Sequence, residues 1–395
     1  MSQINNVVVL SGARTAIGTY GGTLKDVPPS KLAAEVVKEV VARSGLSPEE
    51  IQHVVLGSVI HTDSRDPYIS RVAAIEAGLP IQTPAFTLNR LCGSGLQAIV
   101  SAAQMIMLDD VQTAVAGGAE NMSRAPYWAE GMRWGQRMGN ARVIDSLNAA
   151  LHDPFDDCHM GITAENVAEK WHISREDQDQ LAVNSHHRAA NAIANGYFKS
   201  QIVPIEVKTR KKTITFDTDE HVRSDVSLED MQKLKTVFKE GGTVTAGNAS
   251  GINDGAAAIV LTSTEYAEKK DLKPIARLVG YAHAGVEPLL MGTGPIPAVK
   301  NVMEKTGLSI DDMDVIEANE AFAAQALAVM RDLSLPSEKT NPNGSGISLG
   351  HPIGATGCVI TVKALYELQR TNGRYALVTM CIGGGQGIAA VYERL

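Results

Sequence analysis

Cysteine, basic charge and long apolar runs are all scarce in this sequence. Only four of the 395 residues are cysteines and none forms a C-x-x-C pair, which excludes a disulfide framework. The formal net charge of -8 argues against a nucleic-acid-binding surface. No stretch has the length and apolarity of a membrane span, and residues 1–10 lack the basic region of a signal peptide. We therefore expect a cytoplasmic protein with reduced thiols and with no nucleic-acid or membrane partner.

Size and hydrophobic content bound the architecture. With 44% hydrophobic residues the chain can bury a large core, but 395 residues exceed the size at which one core usually stops growing. We therefore expect at least two domains.

An internal repeat organises the chain. Leu46–Ile51, followed by apolar residues, matches Leu308–Met313 at an offset of 308 − 46 = 262. The turn that begins at Cys92 matches the turn that begins at Gly354 at the same offset, 354 − 92 = 262. Two matches in one register predict two halves of similar structure.

Each half contains an almost entirely apolar segment that predicts a buried helix, one over residues 96–106 and the other over 359–368. Each segment is followed by a short aliphatic run, 113–118 and 375–380, which is typical of a buried strand. Helix and strand alternate, so both halves are predicted to be α/β.

Residues 120–249 differ in character and look inserted between the halves. A capping-box pattern at Ser174 predicts a helix that runs to Asn195–Gly196, with His186 and His187 on its surface. The basic run 208–212 is interpreted as a solvated hairpin in preference to a ligand contact. Zinc ligation by Cys158–His159 or by His186–His187 is disfavoured, because neither pair has the required spacing or partner ligands. No metal site is predicted.

Two cysteines and one histidine lie in motifs that suggest thiol chemistry: Cys92 in L-C-G-S-G, Cys381 in C-I-G-G-G and His351 in G-H-P-I-G. A thiolate that attacks a carbonyl needs a base and amide donors for the oxyanion, and neighbouring glycines allow a substrate to approach the backbone. A helix start and His351 should together lower the pKa of the Cys92 thiol. The alternative is that Cys92 is a small core residue, but packing alone does not explain the flanking Gly93-Ser94-Gly95. A core or capping role for His351 fits poorly between Gly350 and Pro352.

Over its whole length the sequence resembles the thiolases, in particular bacterial acetyl-CoA acetyltransferases and short-chain 3-ketoacyl-CoA thiolases. Seven motifs carry the resemblance in order: Asn89–Gly95, Gly117–Ser123, His159–Gly161, Thr245–Ser250, Asn319–Ala323, Gly350–Gly354 and Cys381–Gly385. Any one of them is weak evidence, whereas seven in order are highly specific.

The resemblance implies a fold and an assembly. The fold is α/β, with two repeated βαβαβαββ halves in a five-layered α/β/α/β/α core and an inserted loop domain. The expected domains are residues 1–119 with 250–272, the insertion 120–249 for CoA binding and oligomer contacts, and residues 273–395. The expected assembly is a homotetramer.

The resemblance also implies catalytic roles. Cys92 matches the nucleophile that accepts the acyl group, and Cys381 matches the acid/base that moves the proton alpha to the thioester. His351, with a water held by Asn319, would stabilise the enolate oxygen. The backbone N–H groups of Cys92 and Gly383 would stabilise the acyl-enzyme oxyanion. Without the resemblance, Asn319 would be interpreted as an ordinary turn residue.

Coenzyme A contacts are implied at a further set of positions: Arg223, Ser250, Ala246, Leu151, His159, Phe238, Ala321 and Phe322. Met160 and Met291 match the acyl end of the pocket, where a flexible methionine could admit a longer acyl group. Asp230 replaces a serine of some acetyl-specific relatives, and residues 341–346 depart from their Asn-Val-Asn-Gly-Gly pattern.

The function expected from the resemblance is that of an acetyl-CoA C-acetyltransferase. It would condense two acetyl-CoA to acetoacetyl-CoA and CoA, reversibly, through an acyl-cysteine in a ping-pong mechanism. These CoA thioesters are substrates, and no cofactor is expected. The alternative is a broad short-chain 3-ketothiolase of the kind that serves polyhydroxyalkanoate synthesis. A decarboxylating ketoacyl synthase would need histidine at Asn319 and no cysteine at Cys381, and a non-catalytic acyl-CoA-binding protein would have lost part of the thiol and histidine set.

Overall fold

The structure is a computed structural model that describes residues 7–395, so the first six residues of the predicted N-terminal half lie outside the described residues. The strands are β1 (Val7–Thr15), β2 (Gly18–Thr19), β3 (His53–Gly57), β4 (Ala85–Leu88), β5 (Thr113–Asn121), β6 (Tyr127–Ala129), β7 (Val143–Asp145), β8 (His152–Asp153), β9 (Cys158–His159), β10 (Ile202–Val203), β11 (Ile205–Lys208), β12 (Thr213–Phe216), β13 (Asn253–Ser263), β14 (Ala276–Gly285), β15 (Val315–Ala318), β16 (Tyr375–Ile382) and β17 (Gln386–Arg394). The α-helices are α1 (Pro29–Ser44), α2 (Ile69–Glu76), α3 (Ser94–Met107), α4 (Ser146–Ala150), α5 (Met160–Lys170), α6 (Arg175–Ala194), α7 (Leu228–Gln232), α8 (Thr264–Lys269), α9 (Pro295–Thr306), α10 (Ala323–Asp332), α11 (Gly346–Leu349) and α12 (Thr356–Thr371).

The repeat predicted from the sequence is confirmed. Helices α3 and α12 begin 262 residues apart (356 − 94), and so do strands β5 and β16 (375 − 113). Both copies of the leucine-serine motif form a short 3₁₀ turn with a capping box, closed by Ser47 with Glu50 and by Ser309 with Asp312. In the N-terminal half, β1, α1, β3, α2, β4, α3, β5 and β13 follow the βαβαβαββ order.

The C-terminal half departs from that order at its third strand. A single bridge between Ile316 and Thr340 stands in its place. The next residue, Asn341, has a positive φ of 48°, and Pro342 has no N–H to donate. The strand therefore cannot continue beyond Thr340.

The hydrogen-bonded strands follow the order β15-β16-β17-β14-β1-β13-β5-β3-β4, and the two halves meet where β1 and β14 pair over two residues. Helices α3 and α12 pack against each other between the halves, and α12 contacts strands of both. Helix α1 covers the outer face of the first half, with α2 against it, and α9 with α10 covers the second. The predicted five layers are therefore present.

Helices α3 and α12 approach closely at two glycines. A Cβ on Gly95 would lie 2.8 Å from the Cys358 nitrogen, and one on Gly357 would lie 2.3 Å from the Leu96 nitrogen. Both predicted apolar helices are buried as expected. This contact fixes the two helix starts, near which the motif cysteine and histidine lie.

The inserted segment contains the predicted helix and hairpin. Helix α6 has the capping box of Ser174 and Asp177 and ends at Asn195. The basic residues lie in the exposed turn between β11 and β12. The prediction that His186 lies on the surface is wrong: its side chain is buried, and its Nδ1 accepts the backbone N–H of Arg223, whereas His187 is exposed. No helix within residues 7–395 is long and apolar enough to span a membrane.

Candidate active site

Equivalent ends of the two halves carry the predicted catalytic residues. Cys92 lies between β4 and α3, Cys381 is the last residue but one of β16, and His351 lies in the loop before α12. Together with Gly383 they line one cavity of about 390 Å³. The structure thus brings together residues from opposite ends of the sequence.

The Cys92 thiol is held by the backbone around it. Leu91 adopts a positive φ of 46°, which turns the chain sharply before the cysteine. The backbone amides of Gly383 and of Cys92 itself lower the pKa of the thiol. The expected lowering of the thiol pKa is wrong for the free protein, because burial raises the pKa of Cys92 to about 11. Two amide donors reduce this effect without reversing it.

His351 is fixed by two hydrogen bonds. Its backbone N–H donates to Asn253 Oδ1 at 2.9 Å, and its Nδ1 lies 2.7 Å from the Thr356 hydroxyl. Since that hydroxyl donates to the Pro352 carbonyl at 2.9 Å, it accepts the hydrogen bond from Nδ1–H. Nε2 is then left unprotonated. Burial lowers the pKa of His351 to about 4, so the ring is neutral at physiological pH and can accept a proton.

Asn319 directly follows β15 and lies behind His351. Its Nδ2 is 3.5 Å from His351 Nε2, at the limit of a hydrogen bond. Its Oδ1 is buried and has no partner among the described residues. The Asn319 side chain does not line the cavity, and its contact with the site is the one with the His351 imidazole.

Cys381 is fully buried but borders the cavity. Burial raises the pKa of its thiol, and the nearby Cys92 raises it further. A thiol held in its protonated form can deliver a proton, and the thiolate that remains can then act as a base.

Most of the predicted CoA contacts lie on the same cavity. Its walls include Ser250, Ala246, Leu151, His159, Phe238, Ala321 and Phe322. His159 stacks on Phe238 with ring centroids 4.6 Å apart, and the Phe322 ring stands edge-on to Phe238. A Cβ on Gly161 would lie 2.2 Å from that Phe238 ring, so a glycine is required there.

Arg223 is the exception. It lines an adjoining polar cavity of about 120 Å³ together with His186, His221 and Asp230. Ala246 belongs to the walls of both cavities. The predicted positions therefore line two neighbouring cavities that share one wall residue, an apolar cavity around the thiols and a more polar one beside it.

Met160 and Met291 are buried in the wall near the thiols. A Cβ on Gly383 would lie 3.4 Å from the Met160 methyl group, which places this side chain beside the amide that faces Cys92.

Sequence reasoning missed several residues of the cavity wall and Thr356, the hydrogen-bond partner of the His351 side chain. The missed wall residues are Leu91, Met122, Ala150, Val237, Thr245, Ala249, Gly251, Ile252 and Ile353. Leu91, Met122, Thr245, Ala249 and Ile353 lie within motifs already recognised, and their position there was the available signal. Thr356 lies five residues after His351 and gave no separate signal. Among residues 7–395 no group of three or more His, Cys, Asp or Glu side chains is placed to hold a metal ion.

Comparison with known proteins covers almost the whole chain. The family model "Thiolase, N-terminal domain" matches residues 7–265, and "Thiolase, C-terminal domain" matches residues 272–394. Beta-ketothiolase BktB of Cupriavidus necator is 63% identical over 98% of this chain and 99% of its own length. The crystal structure of Bacillus anthracis acetyl-CoA acetyltransferase has a TM-score of 0.97 at 47% identity, covering 99% of both chains. Human mitochondrial 3-ketoacyl-CoA thiolase in complex with CoA has a TM-score of 0.96 at 44% identity, covering 100% of this chain and 99% of that one.

Proposed function

Because this chain belongs to the thiolase family and is a thiolase acyltransferase, we propose that it is an acetyl-CoA C-acetyltransferase. It joins two acetyl-CoA into acetoacetyl-CoA and CoA, and it cleaves acetoacetyl-CoA with CoA in the reverse direction. The observation that carries the proposal is the convergence of two thiols and a neutral imidazole on one apolar cavity.

In the first half-reaction of synthesis, Cys92 transfers its proton to His351 Nε2 as its sulfur attacks the thioester carbonyl of acetyl-CoA. The amides of Cys92 and Gly383 hold the oxyanion, and loss of CoA thiolate leaves acetyl-Cys92. This assignment is supported by the effect of both amides on the Cys92 thiol in the free protein, where they lower its pKa. His351 keeps this proton on Nε2, and the Cys381 thiol gives its own proton to the leaving CoA thiolate.

In the second half-reaction the Cys381 thiolate removes a proton from the methyl group of the second acetyl-CoA. The protonated Nε2 of His351 and a water on Asn319 hold the enolate oxygen while its carbon attacks the acetyl carbonyl. The C–S bond to Cys92 then breaks, the Cys92 thiolate takes its proton back from His351 Nε2, and acetoacetyl-CoA leaves. Asn319 supports this arrangement because its side chain lies next to His351 and its buried Oδ1 has no partner among the described residues, which leaves it able to hold a water.

For CoA itself, the pantetheine arm is proposed to lie along Ser250, Ala246 and Leu151. The Phe238 and Phe322 rings border the same channel, and Arg223 lies toward the nucleotide end. The CoA complex of the human mitochondrial enzyme supports this assignment by likeness of fold.

A second candidate is a broad short-chain 3-ketoacyl-CoA thiolase. The 63% identity with a beta-ketothiolase favours it, and so does the flexible Met160 at the acyl end of the cavity. In this case five- and six-carbon 3-ketoacyl-CoA would also be cleaved, and a link to polyhydroxyalkanoate synthesis would follow.

We propose that the protein forms a homotetramer. The β6–β7 hairpin and its loop expose Trp128 and Trp134, the latter to 88%, which supports a homotetramer contact through this segment.

We also propose that residues 120–249 form a loop domain inserted within the first half, which consists of residues 1–119 and 250–272, and that residues 273–395 form the second half. The protein is further proposed to act in the cytoplasm.

Thiolysis rates decide between the two substrate ranges. The enzyme is assayed with CoA and acetoacetyl-, 3-ketovaleryl-, 3-ketohexanoyl- or 3-ketodecanoyl-CoA, following loss of the enolate absorbance. Activity on the four-carbon substrate alone supports the acetyltransferase, and comparable rates on five and six carbons support the broad thiolase. The absence of thiolysis with every substrate would overturn both and favour a binding protein.

A further inference from the structure

Glu120 is a buried carboxylate that the proposed mechanism does not use. It lies near the end of β5 and is fully buried. Its Oε1 accepts the Ile60 N–H at 3.0 Å, and its Oε2 accepts those of Val59 and Gly354 at 3.0 and 2.9 Å. Three amide donors on one side chain fit an ionised carboxylate, which has only acceptors.

These donors come from both halves of the molecule. Val59 and Ile60 follow β3 in the first half, whereas Gly354 belongs to the loop between His351 and α12 in the second. A Cβ on Gly354 would lie 2.4 Å from Glu120 Oε2, so the contact leaves no room for a side chain. Ile60, Ile353 and Cys92 pack in one apolar cluster beside the carboxylate. The contact therefore ties the His351 loop to the surroundings of Cys92.

The repeat gives this contact a counterpart. Gly354 and Cys92 are equivalent positions, 262 residues apart (354 − 92). Glu120, the last residue but one of β5, corresponds to Ile382 (120 + 262), and Gly383 directly follows Ile382 at the end of β16. The end of β16 approaches the Cys92 turn through the Gly383 amide. The end of β5 contacts the Gly354 turn through the Glu120 carboxylate, so each strand end contacts the turn of the other half.

Charge adds a second effect. The carboxylate of Glu120 raises the pKa of the Cys92 thiol, in addition to the larger effect of burial. Burial and the nearby Asp66 raise the pKa of Glu120 itself to about 8, against the three amides that lower it. Above that pH the group is ionised, and its charge acts on Cys92.

We propose that Glu120 is a positioning residue for the thiolase reaction: it holds the His351 loop against the Cys92 turn across the boundary between the two halves. The proposal rests on the proposed function, since it assigns Glu120 a task in bringing the base to the nucleophile. Loss of one acceptor oxygen of Glu120 would shift the His351 loop and lengthen the distance between the Cys92 sulfur and the His351 ring.

The test is Glu120→Gln. The glutamine NH2 group replaces one acceptor oxygen, so it must face at least one of the three backbone N–H donors without accepting its hydrogen bond. We expect kcat for acetoacetyl-CoA thiolysis to fall by about 10- to 100-fold, as a displacement of about 1 Å in a reacting pair would cause, with KM changed by less than about threefold. Iodoacetamide labelling of Cys92, followed from pH 7 to 11, should shift to lower pH because a like charge is lost. This second readout needs no turnover, so it separates failure of the inference from failure of the proposed function.

Two further variants complete the design. Gly354→Ala disturbs the same contact from the other half and should give the same loss of kcat, and it carries the test if Glu120→Gln does not fold. Glu165→Gln is the matched control. The buried Glu165 accepts hydrogen bonds from the backbone N–H groups of Thr243 and Val244, and all three residues lie within residues 120–249, so this contact does not join the two halves. It should lower the melting temperature while kcat stays within about twofold. Wild-type kcat and an unchanged labelling profile in Glu120→Gln, or wild-type kcat in Gly354→Ala, would overturn the proposal.

Discussion

The hydroxyl of Thr356 offers the sharpest test of how the imidazole is held. It lies 2.7 Å from His351 Nδ1, and both side chains are buried. Thr356→Val keeps the shape and leaves a buried N–H without a partner, which costs about 1–3 kcal/mol. If that cost falls entirely on the transition state, kcat drops by roughly 5- to 150-fold, since about 1.4 kcal/mol corresponds to a factor of ten.

The assay is the thiolysis of acetoacetyl-CoA with kcat and KM determined separately. Thr356→Ser restores the hydroxyl and should recover kcat to within about threefold. Thr361→Val is the matched control, because the Thr361 hydroxyl donates to the Gly357 carbonyl at 2.8 Å in the same helix and does not contact His351. A Thr356→Val enzyme with wild-type kcat would refute the assignment of the tautomer and its function.

Three other predictions concern the pocket, the buried histidines and the assembly. Met160→Ala should raise the kcat/KM ratio of 3-ketohexanoyl-CoA to acetoacetyl-CoA by about fourfold per methylene accommodated, because burying one methylene is worth about 0.8 kcal/mol, and an unchanged ratio would count against Met160 as the acyl wall. Burial lowers the pKa of His186 to about 4, so on acidification from pH 6.5 to 4.5 the unfolded chain takes up a proton that the folded protein does not. The wild type should therefore lose about 2 kcal/mol more unfolding free energy over this range than His186→Gln, as measured by urea denaturation, and equal losses would contradict the burial argument. Trp134→Asp, at a side chain that is 88% exposed, should convert the proposed tetramer to a smaller species in analytical ultracentrifugation while the circular dichroism stays native, and an assembly of unchanged size would exclude this hairpin as the contact.

Much of the fold could be predicted from local signals. The 262-residue offset fixed the equivalence of α3 with α12 and of β5 with β16, because helix starts and buried strands have strong sequence patterns. The short third strand of the second half could not be foreseen. It depends on the positive φ of Asn341, and asparagine tolerates this conformation without requiring it.

The site was predictable in its members and less so in its electrostatics. Cys92, His351 and Cys381 were found from their motifs, but the pKa of Cys92 was expected to fall and instead rises. A helix start is visible in sequence, whereas the burial that outweighs it depends on how the two halves pack. For the same reason His186 was placed on the surface: a histidine in a polar helix gives no sign that a loop covers it.

The most direct test of the central claim separates the two thiols. Wild type, Cys92→Ser and Cys381→Ser are each mixed with acetyl-CoA, quenched in acid and examined by peptide mass spectrometry, and thiolysis is measured in parallel. We predict acetyl-Cys92 in the wild type, acetyl-Cys92 without thiolysis or condensation in Cys381→Ser, and no rapid acetylation in Cys92→Ser. Acetylation of Cys92→Ser at the wild-type rate, or full thiolysis by Cys381→Ser, would contradict the account.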